Sequence, residues 1–276
     1  MAQTKIKNLQ LRPKVISNQE IADKIFELKL SGKFPHAEFE PGKFLHIRCN
    51  DSYTPVLRRP MSICNINAAE DTLTVLYRQE GAGTSALAGK QADETIDMLA
   101  PLGEAFPIDE VQAGDKITLV GGGIGVPPLY YLGQKLKAKG AVIKSILGFN
   151  AAKDVFYARE FQELGEVVIT TIQDTYQEEG IESQQGLVTD VLTEDWDKLY
   201  SCGPTAMLKA LQNIIPTNKK AYISLEERMG CGIGACLACY CDVQDEFLDD
   251  FKTKYNKNYA RICHEGPVFG LHEIKL

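Results

Sequence analysis

Residues 116–139 read KITLVGGGIGVPPLYYLGQKLKAK, and the fold class is decided by how this stretch changes rhythm. Lys116–Val120 is a short run of apolar and β-branched residues, the pattern of a strand buried on both faces. Gly121, Gly122 and Gly123 follow. Pro127–Lys139 then shows helical spacing, with its two prolines in the first turn, where a helix tolerates them. Strand, glycine turn and helix together make half of a crossover unit. The alternation continues: Val142–Leu147 reads as a strand, Asp154–Leu164 as a helix and Val167–Ile172 as a strand. Leu187–Leu192 reads as a short helix, Leu199–Ser201 as a strand, Thr205–Ile215 as a helix and Ala221–Leu225 as a last strand. Residues 109–225 are therefore expected to form an α/β domain on a parallel sheet. Such sheets bind ligands at the carboxyl ends of their strands.

The flanks differ. Over residues 1–108, runs such as Ile25–Leu30, Lys43–Arg48 and Leu73–Tyr77 are separated by Gly, Pro, Asn and Asp. That spacing predicts an antiparallel β-barrel, with one short helix at Thr84–Leu87. Residues 226–276 are rich in Gly and Cys and read as irregular. About 50 residues bury little core alone, so a metal bound by cysteines is the expected staple.

The chain has 276 residues, 44% hydrophobic and 24% charged, which excludes a disordered or fibrous chain. Mean hydropathy is −0.17, and no run approaches the roughly 20 apolar residues of a spanning helix. Net charge is −7 with pI near 5.3. Without a basic block, nucleic acid and anionic membranes are poor partners. The first residues, MAQTKIKNLQLRPK, lack the apolar core of a secretion signal. The expected setting is the cytoplasm, where eight cysteines pose a question of metal or redox chemistry rather than of disulfides.

Cys231, Cys236 and Cys239 give C-x4-C-x2-C, the spacing of plant-type 2Fe–2S proteins, with Cys263 available as a fourth ligand. Gly232, Gly234 and Ala235 let the backbone wrap closely and aim N–H groups at the sulfurs. A structural zinc site is the alternative, although zinc favours paired C-x2-C knuckles. Cys241 competes with Cys263 for the fourth place. If Cys239–Cys241 is extended, its two sulfurs point in opposite directions, which favours Cys263.

Arg59, Pro60, Met61 and Ser62 stand at the start of a strand, where an Arg fork suits a diphosphate. Leu76, Tyr77 and Arg78 follow, and then Gly81-Ala82-Gly83-Thr84, a glycine turn opening a helix. Tyr77 can lie against an aromatic ring system. Together these form a flavin-site expectation. Gly121, Gly122, Gly123 and Gly125 form a strand-to-helix turn that is not G-x-G-x-x-G, because Val126 takes the last glycine position. Cys202, Gly203 and Pro204 form a second such junction, with a buried core thiol as the plain reading of Cys202. No Arg follows the second strand, although Lys153 is close, so NAD is expected rather than NADP. His36, His46, His264 and His272 show no ligand spacing with one another. His264, beside Cys263, reads as solvated or as a tuning residue.

A β-barrel with R-x-x-S, followed by an α/β domain with GGGIG and CGP, resembles the ferredoxin–NADP reductase superfamily. MGCGIGACLAC (Met229–Cys239), GIGVPPL (Gly123–Leu129) and GLVTDVL (Gly186–Leu192) narrow this, and the chain resembles the electron-transfer subunits of type B dihydroorotate dehydrogenases. The resemblance covers essentially the whole chain. It implies FAD held by Arg59–Ser62, Leu76–Arg78, Gly83 and Thr84, and one 2Fe–2S cluster on Cys231, Cys236, Cys239 and Cys263. It further implies NAD as electron acceptor and an FMN-containing catalytic partner, with two copies of each subunit. No side-chain acid or base is expected, because the cofactors carry the chemistry. The long stretch from Cys239 to Cys263, acidic at Asp245, Glu246, Asp249 and Asp250 and then basic at Lys252, Lys254 and Lys257, departs from the family pattern, as does Cys241. Related chains that serve ferredoxin reductases or hydrogenases are the alternative of the same superfamily. A zinc-stapled binding module without turnover is the alternative of another class.

Overall fold

The computed structural model describes residues 10–50 and 54–276. Residues 1–9, the larger part of the N-terminal stretch read above, lie outside the described residues. Two four-stranded antiparallel sheets form a barrel-like unit. One runs in the order Gln10–Leu11, Asp97–Leu102, Phe44–Arg48, Arg59–Ser62, and the other Lys14–Ala22, Ile25–Ser31, Thr72–Arg78, Asn65–Asn67. Alternating side chains fill the space between them, including Leu28, Leu30, Leu45, Ile47, Leu73 and Val75, all fully buried. The helix Ala82–Ala88 follows the last residues of Thr72–Arg78.

The second unit is a seven-stranded sheet. Its order is Glu182–Gln185, Glu166–Thr171, Val142–Phe149, Lys116–Gly122, Lys198–Cys202, Lys220–Ser224 and Val268–Gly270. All neighbours are parallel except the last pair. Both faces are covered. Ile117 and Leu119 pack with Leu129, Leu132, Leu136 and Phe161. Val120, Ile146, Leu199 and Ile223 pack with Leu208 and Leu211 of the helix Thr205–Ile214. This two-sided burial is why the strands read as unbroken apolar runs.

Three expectations need correction. The helix expected at Asp154–Leu164 is only Ala158–Gln162, preceded by a 3-10 turn. Tyr157 breaks it at φ +61°, and its hydroxyl donates to Glu27 Oε2 at 2.5 Å, a residue of the barrel. The helix expected at Leu187–Leu192 is a single 3-10 turn, Val188–Asp190. There Asp190 turns back to accept the Leu187 N–H at 2.8 Å, which satisfies the turn without propagating it. Residues 226–276 are not irregular. They contain a hairpin of Tyr240–Asp242 with Tyr259–Arg261, the helix Leu248–Tyr255 and the sheet strand Val268–Gly270. The acidic-then-basic stretch belongs with that helix: Asp249 and Asp250 lie in its first turn and Lys252 and Lys254 in its last, the order that complements the helix dipole.

This terminal stretch shares its core with the sheet. Val243, Phe251, Ile262, Leu271 and Ile274 join the cluster that contains Leu208 and Leu211. Gln212 Nε2 ties it further, donating to the carbonyls of Leu271 at 2.7 Å and Ile274 at 3.0 Å. Apolar contact therefore staples the segment as well as any metal does. Phe251 is 2% exposed, and Phe251→Ala is expected to cost about 3–5 kcal/mol in urea unfolding. A loss below about 1 kcal/mol would mean that the helix is an appendage.

Candidate functional site

Two clefts open at the carboxyl ends of the strands. The first, of about 840 Å³, lies between the units and is lined by Arg58–Ser62, Leu76–Arg78, Gly81 and Thr84 from the barrel and by Ser224–Met229 from the sheet edge. The second, of about 500 Å³, is lined by Gly122–Ile124, Gly148–Asn150, Thr170, Ile172, Gly186–Thr189, Pro204 and Met207. Arg78, Glu80, Ile124 and Glu226 line both, so the clefts meet there.

The expected flavin residues converge on the first cleft. Arg59, Pro60, Met61, Ser62, Leu76, Tyr77, Arg78 and Thr84 all line it. Gly83 lies beneath Arg59: a Cβ there would stand 2.9 Å from Arg59 Nε, so a larger residue would push the guanidinium off its present place over the helix start. Arg59 Nη1 donates to the Leu57 carbonyl at 2.7 Å, which fixes the fork while leaving other donors for an anion. Thr84 Oγ1 accepts the N–H groups of Glu80 at 3.0 Å and Gly81 at 3.2 Å, holding the glycine turn. The Tyr77 ring stacks on Phe26 with centroids 5.6 Å apart, and its hydroxyl donates to Asn18 at 2.9 Å. Burial pushes that phenol up. The cleft thus offers a cation, turn N–H groups and apolar walls, a donor set that fits a flavin dinucleotide.

The expected nicotinamide residues divide. Gly122, Gly123 and Pro204 line the second cleft. Gly121, Gly125, Cys202 and Gly203 are buried and do not line it; a Cβ on Gly125 would stand 2.4 Å from the Cys202 carbonyl. Cys202 is fully buried, and burial raises its thiol well above the ordinary range. Beyond the second strand, Lys153 is paired with Asp23 at 2.6 Å, so that cation is already engaged. Thr170 Oγ1, in the cleft wall, has no hydrogen-bond partner.

The cysteine loop follows the sheet edge directly. Ile233 N–H and Ala235 N–H donate to Cys231 Sγ at 3.5 and 3.2 Å, Gly234 N–H to Cys263 Sγ at 3.2 Å, and Cys263 N–H to Cys239 Sγ at 3.4 Å. Burial raises the Cys231 thiol, but the N–H groups of Ile233, Cys236 and Ala235 and the Cys236 thiol outweigh it and bring it to about 7. Cys239 and Cys263 share a proton: the Cys263 thiol lowers Cys239 to about 6, and Cys263, the partner that keeps the proton, is raised. The loop thus turns four backbone N–H groups onto the sulfurs of Cys231, Cys239 and Cys263, and N–H groups on thiolates fit the negative charge of an iron–sulfur cluster. Cys241 stands apart, half-buried, and burial pushes its thiol to about 12.

A buried ion network braces the loop. The Glu265 side chain is 1% exposed. It meets Arg261 Nη2 at 2.5 Å and Lys257 Nζ at 3.0 Å. Burial raises its carboxyl, yet the hydrogen bonds from Arg261 and Lys257 hold it down at about 2. Arg261 Nη1 in turn donates to the Gly234 carbonyl. His264 is half exposed and touches Glu265 at 3.1 Å.

Sequence reasoning missed Arg58, Glu80, Ile124 and Glu226 in the cleft walls, and His46. Glu226 directly follows the last expected strand, a position at a strand's carboxyl end that was a usable signal. It is open to the clefts but closely walled, and burial, with Glu80 nearby, raises its carboxyl. His46 is fully buried, held down at about 4 by burial and then by Arg58; its spacing gave no hint of this.

Comparison with known proteins bears on all three sites. Residues 226–275 match the iron–sulfur cluster binding domain of dihydroorotate dehydrogenase B, and residues 119–213 match the oxidoreductase NAD-binding domain. The dihydroorotate dehydrogenase B (NAD(+)) electron transfer subunit of Bacillus cereus (strain G9842) is 47% identical over 265 residues, 95% of this chain and 97% of that protein. A solved NADH-dependent reduced ferredoxin–NADP oxidoreductase has TM-score 0.77 at 23% identity, over 95% of this chain and 89% of that one. A ferredoxin NADP+ reductase from Neisseria gonorrhoeae with bound FAD and NADP has TM-score 0.64 at 15% identity, over 79% and 98%. These two structures establish a ferredoxin reductase-like fold.

Removing one member of the buried network leaves an uncompensated charge. Glu265→Ala is expected to destabilise the chain by about 3–5 kcal/mol in chemical unfolding. A change below about 1 kcal/mol would show that Arg261 holds Gly234 without its carboxylate.

Proposed function

This chain belongs to the family of dihydroorotate dehydrogenase B (NAD(+)) electron transfer subunits, and from that premise we propose how its residues divide the work. The chain is an oxidoreductase subunit that acts in a complex, in pyrimidine synthesis. Electrons from a catalytic partner that oxidises (S)-dihydroorotate at its FMN would cross one 2Fe–2S cluster singly to FAD, and the flavin, with two electrons and a proton, would supply a hydride to NAD+. A flavin bound in the first cleft supplies the conversion between one-electron and two-electron carriers.

In this reading residues 1–108 hold FAD, 109–225 hold NAD and 226–276 hold the cluster. Arg59 and the Gly81–Thr84 turn take the diphosphate, with Gly83 giving Arg59 its room. Pro60, Met61, Ser62, Leu76, Tyr77 and Arg78 shape the flavin's bed. Gly122, Gly123 and Pro204 take the nicotinamide nucleotide, with Gly121, Gly125, Cys202 and Gly203 buried beside them. Cys231, Cys236, Cys239 and Cys263 would hold the cluster. The pairing of Lys153 with Asp23 removes a cation from the place where an adenosine 2′-phosphate would want one, which supports NAD. The assembly carries two copies of each subunit and works in the cytoplasm. Among the described residues no helix is long and apolar enough to cross a membrane.

One observation carries the reading: the two clefts share Arg78, Glu80, Ile124 and Glu226 as a common wall. Such a common wall would let a ring bound in one cleft meet a ring bound in the other, as hydride transfer requires.

The deciding experiment purifies the chain with its partner without oxygen, adds dihydroorotate and NAD+, and follows NADH. NADH formation is expected. A nickel or multi-cluster partner, or a colourless protein holding zinc, would replace this reading. Ser in place of Cys231, Cys236, Cys239 or Cys263 is expected to remove iron, while Cys241→Ser keeps it; full iron in Cys263→Ser would reassign the fourth ligand. Arg59→Ala, which loses a charge-assisted fork, is expected to weaken FAD binding roughly 10- to 100-fold in flavin titration.

A further inference from the structure

We propose that His46 is a positioning residue: its ring is the spacer that seats the iron–sulfur loop on the flavin-side strand. The inference rests on the cluster reading above. His46 lies in Phe44–Arg48, directly opposite Pro60 of Arg59–Ser62, the strand whose residues line the first cleft. On its other side stands the cysteine loop. A Cβ on Gly232 would meet His46 Nδ1 at 2.5 Å, Cγ at 3.1 Å and Cε1 at 3.2 Å. Gly232 has φ +71°, so the ring and the left-handed turn each require glycine there.

The ring is fully buried. Its nitrogens face the backbone of Cys231 and of Arg58, and neither completes a hydrogen bond of standard geometry. A buried polar side chain without a satisfied partner is costly, and an apolar residue of the same size would fill the space between strand and loop better. What the imidazole adds is a polar edge against the cluster loop. Loop, ring and strand therefore lie in series. The ring's thickness and its Nδ1 edge fix how closely Cys231 approaches the strand beside the flavin cleft. Electron transfer falls steeply with separation, so a spacer at this place bears directly on the relay.

Two variants of the full chain, loaded with cluster and flavin, separate a polar spacer from a core filler. His46→Phe keeps the volume and loses the nitrogens. His46→Asn keeps an amide nitrogen near Nδ1 and loses volume. Iron and flavin content are measured first; wild-type protein lacking iron would sink the cluster reading, whereas a difference confined to the variants concerns His46. The readouts are the electron paramagnetic resonance spectrum of the reduced cluster, its midpoint potential, and the rate at which a chelator removes iron. His46→Phe is expected to shift the potential, alter the spectrum and release iron roughly tenfold faster, because the Cys231 backbone then faces an apolar ring. His46→Asn is expected to keep the wild-type spectrum and potential. A wild-type spectrum and potential in His46→Phe, or equal damage in both variants, overturns the proposal. If neither variant folds, Gly232→Ala carries the test. It drives a methyl onto the ring, and an unchanged cluster spectrum would again overturn the spacer.

Discussion

The antiparallel pairing of Tyr222–Ser224 with Val268–Gly270 closes all the chain between those strands into one loop, and the site depends on that closure. The chain leaves the sheet at Ser224 and forms the first cleft's wall with Leu225–Met229. It then wraps the four sulfurs and returns at Val268. Leu225 N–H donates to the Pro267 carbonyl at 2.9 Å, so the loop is pinned at its neck. Glu104 N–H donates to the Gly266 carbonyl at 2.7 Å, which pins the same neck to the barrel. Three units that each would tolerate movement are thus held at one point, and relays between fixed centres need such rigidity.

The interior of the loop combines two kinds of order. Its lower part is ordinary core, with Phe251, Ile262 and Ile274 buried against the sheet's second face. Its upper part is backbone wrapped around sulfur, where N–H groups do the holding. The Glu265–Arg261 network joins the two, because Arg261 reaches the Gly234 carbonyl from the core side. A buried carboxylate is retained where an apolar residue would pack because it alone can hold both Arg261 and Lys257.

The clefts illustrate how one wall serves two ligands. Arg78 Nε lies 3.7 Å from Glu80 Oε1, and the two act on the Glu226 carboxyl in opposite directions, so the junction is polar with charges of both signs. Ile124 adds the apolar surface. Such a wall can border two flat rings without offering a strong charge to either.

The sequence by itself determined the five apolar strands over 116–225 and the helices after Gly125 and Pro204, because a parallel sheet buried on both faces must be written as unbroken apolar runs. It also determined the cysteine spacing and the Arg59–Ser62 and glycine turns, since close backbone approach admits few residues. The rest required the tertiary structure. Tyr157 breaks its helix for a partner 130 residues away in the chain, and no local propensity carries that information. Val268–Gly270 is too short to announce itself as a strand; it becomes one only against Lys220–Ser224. His46 looked unremarkable by spacing because its meaning lies in Gly232, which belongs to another unit far along the chain. Local patterns encode elements, whereas contacts between distant elements are decided by which surfaces the closed chain can bury together.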